Sequence, residues 1–182
     1  LYKMSEKPAP RLLLILPIVL MVTLGVFYGY GLTFDPNKSS SRLIGKALPN
    51  VTLPALHDTQ KEISSLHFKK PAIITIWASW CSACRAEHEL LMDIAAQHRF
   101  FVYGVDYQDD LENARAYLKA QGDPFDGVMF DGAMSSAQPF DVLSLPQTYL
   151  IDQNGIVRAR YVGTLTKEVW QMLQATLNSP EN

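Results

Sequence analysis

Ala72-Ile73-Ile74-Thr75-Ile76-Trp77-Ala78-Ser79-Trp80-Cys81-Ser82-Ala83-Cys84-Arg85-Ala86-Glu87 is the stretch from which the rest of this chain is read. Its first six residues are apolar and β-rich, which predicts a strand over 72–77 buried on both faces. Ala86, Leu90 and Ile94 then recur at four-residue steps, with Leu91 and Ala95 beside them, which predicts a helix over 82–97. The only two cysteines of the chain stand at that junction, two residues apart. A thiolate at a helix N-terminus faces unpaired backbone N–H groups and the positive end of the helix dipole, so its pKa falls.

Three chemistries compete for such a pair. A structural zinc needs four ligands, but there is no second Cys-x-x-Cys, and His57, His67, His88 and His98 do not stand at ligand spacing. No metal is therefore expected. A permanent disulfide would close a loop of only four residues, which gains little chain entropy. A redox-active dithiol accounts best for a lone pair at a strand–helix junction.

Outward from this stretch, Phe100–Val105 is a second apolar run, so strand, helix and strand form a right-handed βαβ unit with a parallel pair. A polar-led helix is predicted over 109–121, stopped by Gly122-Asp123-Pro124. A short strand follows at 127–130, then a loop or helical turn over 131–140. Strands at 148–152 and 156–161 flank Asn154-Gly155, a hairpin turn signal. An amphipathic helix over 167–177, capped by Thr166, ends the pattern. Before the central unit, 51–56 and 62–64 read as an edge hairpin limited by Pro49 and Pro54. This order of elements describes an α/β thioredoxin fold, a central mixed sheet flanked by helices.

The N-terminus is different in kind. Leu12–Leu32 is 21 residues without a charge, preceded by Lys3, Lys7 and Arg11. At about 1.5 Å per residue it is long enough to cross the roughly 30 Å hydrocarbon core of a bilayer. A cleaved signal peptide is the alternative, but its apolar region would be shorter, and Tyr28-Gly29-Tyr30-Gly31 is a poor cleavage site. The expected organisation is a cytoplasmic N-terminus at 1–11, a single transmembrane anchor at 12–32 and a polar linker at 33–43. A periplasmic domain at 44–178 and a tail at 179–182 follow. A net charge of −2 gives no nucleic-acid signature.

Four segments resemble one family: WASWCSACRAEHELL, GVDYQDDLENARAYL, LPQTYLIDQNGIVRARYVGTLTKEVW and the apolar N-terminus. The chain is similar to the membrane-anchored, thioredoxin-like thiol:disulfide interchange proteins of cytochrome c biogenesis, the DsbE/CcmG type (TlpA/ResA-like). The resemblance implies a protein-disulfide reductase on the outer face of the inner membrane, with no cofactor. It implies a membrane thiol transporter of the DsbD/CcdA type as electron donor. Apocytochrome c, or a cytochrome c maturation component that carries it, is the implied client. A broader periplasmic thiol–disulfide oxidoreductase is the alternative. A metal or heme chaperone on the same fold would want a Cys-x-x-x-Cys with a distant histidine, or a histidine beside the pair.

Within this frame Cys81 is expected to be the exposed nucleophile and Cys84 the buried resolving thiol, the two forming the redox disulfide. Glu87, three residues after Cys84, shares its helix face. Periodicity alone leaves it open between a solvated charge, an ion pair with Arg85 and a functional acid. The resemblance favours a pKa-tuning or proton-shuttling role. The resemblance also implies that Pro146 is a cis-proline walling the client groove, with Trp80, Leu145 and Gln147 lining it. Trp77 is read as core. Asp106, Tyr107 and Asp126 are read as a solvated loop rather than as an acidic surface lining the site, and His88 as an exposed helix residue. The family's proline loop has glycines before a Pro-Glu-Thr. Here Asp141 and Ser144 replace those glycines and Gln147 replaces the acid, so whatever that acid does is not carried over.

Overall fold

The computed structural model describes the backbone of residues 11–32 and 41–177. The expected N-terminus at 1–10, most of the linker and the tail lie outside the described residues. The chain divides into two units, Leu1–Pro36 and Asn37–Asn182.

The first unit contains helix α1 (Arg11–Leu32), which holds Pro17 within it. Among the described residues no helix is long and apolar enough to cross a membrane. Side chains in α1 are described only for residues 16–29. That stretch is about 21 Å of helix against a hydrocarbon core of about 30 Å. The described residues thus do not establish the anchor expected over 12–32.

The second unit opens with β1 (Thr52–Pro54) and β2 (Glu62–Ser64), an antiparallel hairpin. It continues through β3 (Ala72–Trp77), α2 (Ser82–Ala96), β4 (Phe101–Tyr107), α3 (Leu111–Gln121) and β5 (Gly127–Asp131). β6 (Gln147–Ile151), β7 (Val157–Val162) and α4 (Lys167–Leu177) complete it. Five strands form one mixed sheet in the order β5-β4-β3-β6-β7. β3 lies at its centre, parallel to β4 and antiparallel to β6. This is the expected thioredoxin fold, with element boundaries within two residues of the sequence reading.

The central position of β3 follows from its composition, since each of its six residues is buried. Its side chains serve opposite faces. Ile73 packs in a cluster with Leu91 and Ile94 of α2 and Trp170 and Leu173 of α4. Ile74 and Ile76 pack with Phe68, Phe140 and Tyr149. Burial of each such side chain is worth about 1.5–3 kcal/mol. Trp77 is core as expected, and its indole requires a bare backbone opposite. A Cβ built on Gly104 of β4 would stand 2.7 Å from Trp77 Nε1.

The domain also begins earlier than expected. Ser41 and Leu43, read as the end of the linker, are buried. Leu43 joins the cluster that contains Ile74 and Tyr149. Ser41 reaches the same region by hydrogen bonding, as described below.

Candidate active site

The cysteines sit where strand β3 gives way to helix α2. Cys81 is the N-cap residue of α2, with extended backbone, and Cys84 is in the first turn. They are joined as a disulfide. Cys81 Sγ accepts the Cys84 N–H at 3.1 Å, so this sulfur does the work of a capping oxygen for an otherwise unpaired helix donor. The expected contrast in exposure is absent: Cys81 is 6% exposed and Cys84 5%. What distinguishes the two sulfurs is the backbone donor aimed at Cys81, which stabilises negative charge there.

The turn before Cys81 is held from two sides. The Ser79 N–H and hydroxyl donate to the two carboxylate oxygens of Asp109. Arg85, one turn into α2, donates from Nε and Nη2 back to the Ser79 carbonyl at 3.1 and 2.7 Å. Trp80 is 56% exposed, and its indole N–H is fixed on the Gln108 carbonyl at 2.9 Å. The exposed ring is thus held by its polar edge one residue before Cys81, which leaves its apolar face to solvent.

Glu87 is buried, 1% exposed, so neither a solvated charge nor an ion pair with Arg85 describes it. Its Oε2 accepts the Leu165 N–H at 2.7 Å, while Oε1 has no partner among the described residues. Burial pushes its pKa up to about 8, against the opposing effect of the Leu165 N–H. At neutral pH the group is mostly a neutral acid whose proton resides on, or is delivered from, the unpartnered oxygen.

The Leu145–Pro146 peptide bond is cis, as the resemblance implies. Leu145 packs against the cluster that contains both cysteines, Trp77 and Ala78. The cis-proline segment and the disulfide therefore share one apolar cluster. Leu143 and Ser144 just before it are exposed.

Gln147 does not line a groove; it is completely buried. Strand pairing turns its side chain inward, where its amide has a full set of partners. Oε1 accepts the Leu143 N–H at 3.1 Å and Arg160 Nη2 at 2.9 Å. Nε2 donates to the Phe140 carbonyl at 3.2 Å and to Tyr149 Oη at 3.0 Å.

Asp106 corrects the solvated-loop reading more sharply. It is 0% exposed, and neither carboxylate oxygen has a hydrogen-bond partner among the described residues. Burial, reinforced by the Asp109, Asp110 and Asp131 carboxylates, pushes its pKa up to about 9. The signal was present: Asp106 continues an apolar run that fills a strand buried on both faces. Asp126 is exposed as expected, with its Oδ2 accepting the Val102 N–H. His88 is half-buried rather than exposed, with Nε2 bonded to the Gly122 carbonyl and the ring edge-on to Tyr117. Asp109 and Arg160 are not singled out by sequence, and Arg85 only as a partner for Glu87. Their partners are backbone atoms or residues far along the chain, for which spacing gives no signal.

Chemically, a disulfide with one sulfur at a helix N-cap, a neutral buried acid one turn on and an apolar rim suits thiol–disulfide exchange with a protein segment.

A sequence profile of the AhpC/TSA family matches residues 44–160. The chain is 34% identical over 177 residues to the thiol:disulfide interchange protein DsbE of Pseudomonas aeruginosa, covering 94% of this chain and 98% of that one. It is 38% identical over 139 residues to DsbE of Escherichia coli, covering 75% of each. A solved structure of a candidate DsbE from Chlorobium tepidum matches with a TM-score of 0.63 at 25% identity, over 74% of this chain and 97% of that one.

Proposed function

The chain belongs to the AhpC/TSA family, among its DsbE-type thiol:disulfide interchange proteins, and from that premise we propose that it is a periplasmic protein-disulfide reductase of cytochrome c maturation. The observation that carries this reading is the Cys81–Cys84 disulfide at the start of α2, with Cys81 Sγ on the Cys84 N–H and Leu145 of the cis-proline segment packed on the apolar cluster that holds both cysteines.

In the reduced protein, the Cys81 thiolate attacks one sulfur of the client disulfide. A mixed disulfide forms and one client thiolate leaves. Cys84 passes its proton to the ionised form of Glu87, a minority at neutral pH with a pKa of about 8, and attacks Cys81 Sγ, which releases the second client thiolate and closes the Cys81–Cys84 bond. Two electrons pass to the client, and the protein dithiol is oxidised. The neutral Glu87 of the oxidised form then holds the proton that Cys84 needs when a donor dithiol reopens the bond.

Glu87 also bears on direction. A Cys84 thiolate and a Glu87 carboxylate would put two negative charges in one apolar site. That disfavours the thiolate, and a disfavoured thiolate makes the dithiol a better reductant.

The client assigned here is the heme-attachment cysteine pair of apocytochrome c, or a maturation protein that carries it. A membrane thiol transporter of the DsbD/CcdA type is the assigned donor. An uncleaved inner-membrane anchor at 12–32 completes the reading. Its support is the 21-residue uncharged sequence, the helical backbone of α1, and the exposure of Leu16, Leu20, Met21 and Phe27 along it. A Cys84→Ala variant tests the assignment by trapping the mixed disulfide. Recovery of apocytochrome c or its carrier on Cys81 is the expected result. Trapping of unrelated exported proteins alone would replace it with a broader oxidoreductase.

A further inference from the structure

The loop that carries the cis-proline is organised by a buried cation. The Arg160 side chain, on β7, is 1% exposed. Its Nη2 donates to the Asp141 carbonyl at 2.8 Å and to Gln147 Oε1 at 2.9 Å. Gln147 in turn holds the Phe140 carbonyl and the Leu143 N–H. Arg160 and Gln147 together thus fix the backbone at both ends of residues 140–143. An enclosed guanidinium needs a counter-charge, because an uncompensated buried charge is strongly destabilising. Gln147, beside it, is neutral. The carboxylate that faces it belongs to Asp141, whose Oδ2 stands 3.8 Å from Arg160 Nη1.

Asp141 is otherwise an unexpected residue for its place. Its φ is +49°, in the left-handed region that favours glycine. Asp enters this region more readily than most residues with a Cβ because its short carboxylate can bond nearby groups, and here it does so. Besides Arg160, the carboxylate accepts the Ser41 hydroxyl at 3.0 Å and lies 3.9 Å from Arg42 Nε. Arg42 Nη2 donates to the Gln138 carbonyl in the same loop. One carboxylate therefore joins the start of the domain, strand β7 and the proline loop.

We propose that Asp141 is a positioning residue for thiol–disulfide exchange: as the counter-ion of buried Arg160 and the anchor of Ser41 and Arg42, it holds residues 140–146 in the shape that receives a client segment. The proposal rests on the exchange reading above but not on the identity of the client or the direction of electron flow. Asp141 touches neither sulfur and acts only through the loop.

The test uses the full chain in detergent, reduced, with Asp141→Asn, Asp141→Gly, Arg160→Gln and the double variant Asp141→Asn/Arg160→Gln. Each is assayed against two disulfides. One is a disulfide-bonded peptide carrying Cys-x-x-Cys-His; the other is hydroxyethyl disulfide, which has no chain to lie against the loop. Asp141→Asn should slow peptide reduction about tenfold and leave the small disulfide within about twofold. Asp141→Gly relaxes the backbone but removes the carboxylate, and should behave like Asp141→Asn. The double variant should be slowed by less than the product of the two single effects, because the residues share the Asp141–Arg160 contact. Wild-type rates on the peptide for both Asp141 variants would overturn the proposal, as would equal slowing on both disulfides. A wild-type chain that reduces the small disulfide but not the peptide would overturn the exchange reading for protein clients and the positioning role with it.

Discussion

The first turn of α2 and the proline loop face the same site but are built by opposite means. At the cysteines the partners are near in sequence, Cys81 with Cys84 and Arg85 with Ser79, and more distant residues, Asp109 on Ser79 and Leu165 on Glu87, brace the turn from outside. In the proline loop they are distant: Gln147 with Arg160, Asp141 with Arg160, and Asp141 with Ser41 a hundred residues away. On the proposed reading, the helix turn supplies the reacting atoms and the loop supplies a shaped surface. The two should therefore fail differently when altered: damage to the turn removes chemistry, and damage to the loop removes stability and client selectivity.

The largest separation is expected from Cys81→Ser. It should lower exchange with any disulfide by about a thousandfold or more. Its melting temperature should match that of the wild type measured in reducing buffer. Residual exchange near the wild-type rate would move the nucleophile elsewhere.

Arg160→Met acts on the other region. It leaves Gln147 Oε1 and the Asp141 carbonyl without their buried donor, at a cost of about 2–3 kcal/mol read from urea unfolding. Reduction of a small disulfide should stay near wild type. An unchanged unfolding midpoint would mean that the loop does not depend on this cation.

Glu87→Gln has a smaller effect, with a definite sign. The folded-state pKa of about 8 lies above the ordinary value of 4.5, so the native state binds the proton more tightly than the unfolded chain. The resulting stability is fully present below pH 4.5 and is lost as pH rises through about 8. Its slope is about 1.4 kcal/mol per pH unit at most. Glu87→Gln should remove that share of the slope. Asp106, raised for the same leading reason, contributes with the same sign, so some slope should persist until Asp106→Asn is added. Glu87→Gln should also lower the Cys84 titration by about one pH unit. Unchanged curves in both measurements would return Glu87 to a purely structural role.

The smallest effect belongs to a cap outside both regions. Asp110 accepts the N–H groups of Glu112 and Asn113 at the start of α3. Asp110→Ala should cost about 1 kcal/mol in thermal unfolding with no change in exchange rate. A loss of exchange would instead tie α3 to the site.

The same contrast explains how much of the molecule could be read in advance. The apolar run of β3, the Cys81–Cys84 spacing, the Asn154-Gly155 turn and the Thr166 cap are local signals, and the sheet and the dithiol followed from them. Burial of Glu87 was only half legible. Its helical position placed it near Cys84, but Leu165, which satisfies it, is 78 residues away. Gln147 was misread as groove lining because it follows Pro146, the residue to which the resemblance assigns the groove wall. Alternation along β6 points the next side chain the other way, into the core. Asp106 was misread because a charged residue was assigned to the surface although strand β4 is buried where it stands. The Asp141–Arg160 pair carried no sequence signal beyond the loss of glycine at 141. Contacts across a sheet depend on register that spacing does not encode.

The central claim is that this dithiol is built to give electrons. An equilibrium redox titration of Cys81–Cys84 in the full chain tests it most directly. A potential near that of thioredoxin, about −270 mV, is the predicted result; a potential near −120 mV, as in a strong oxidant whose reduced form is stabilised, would contradict it.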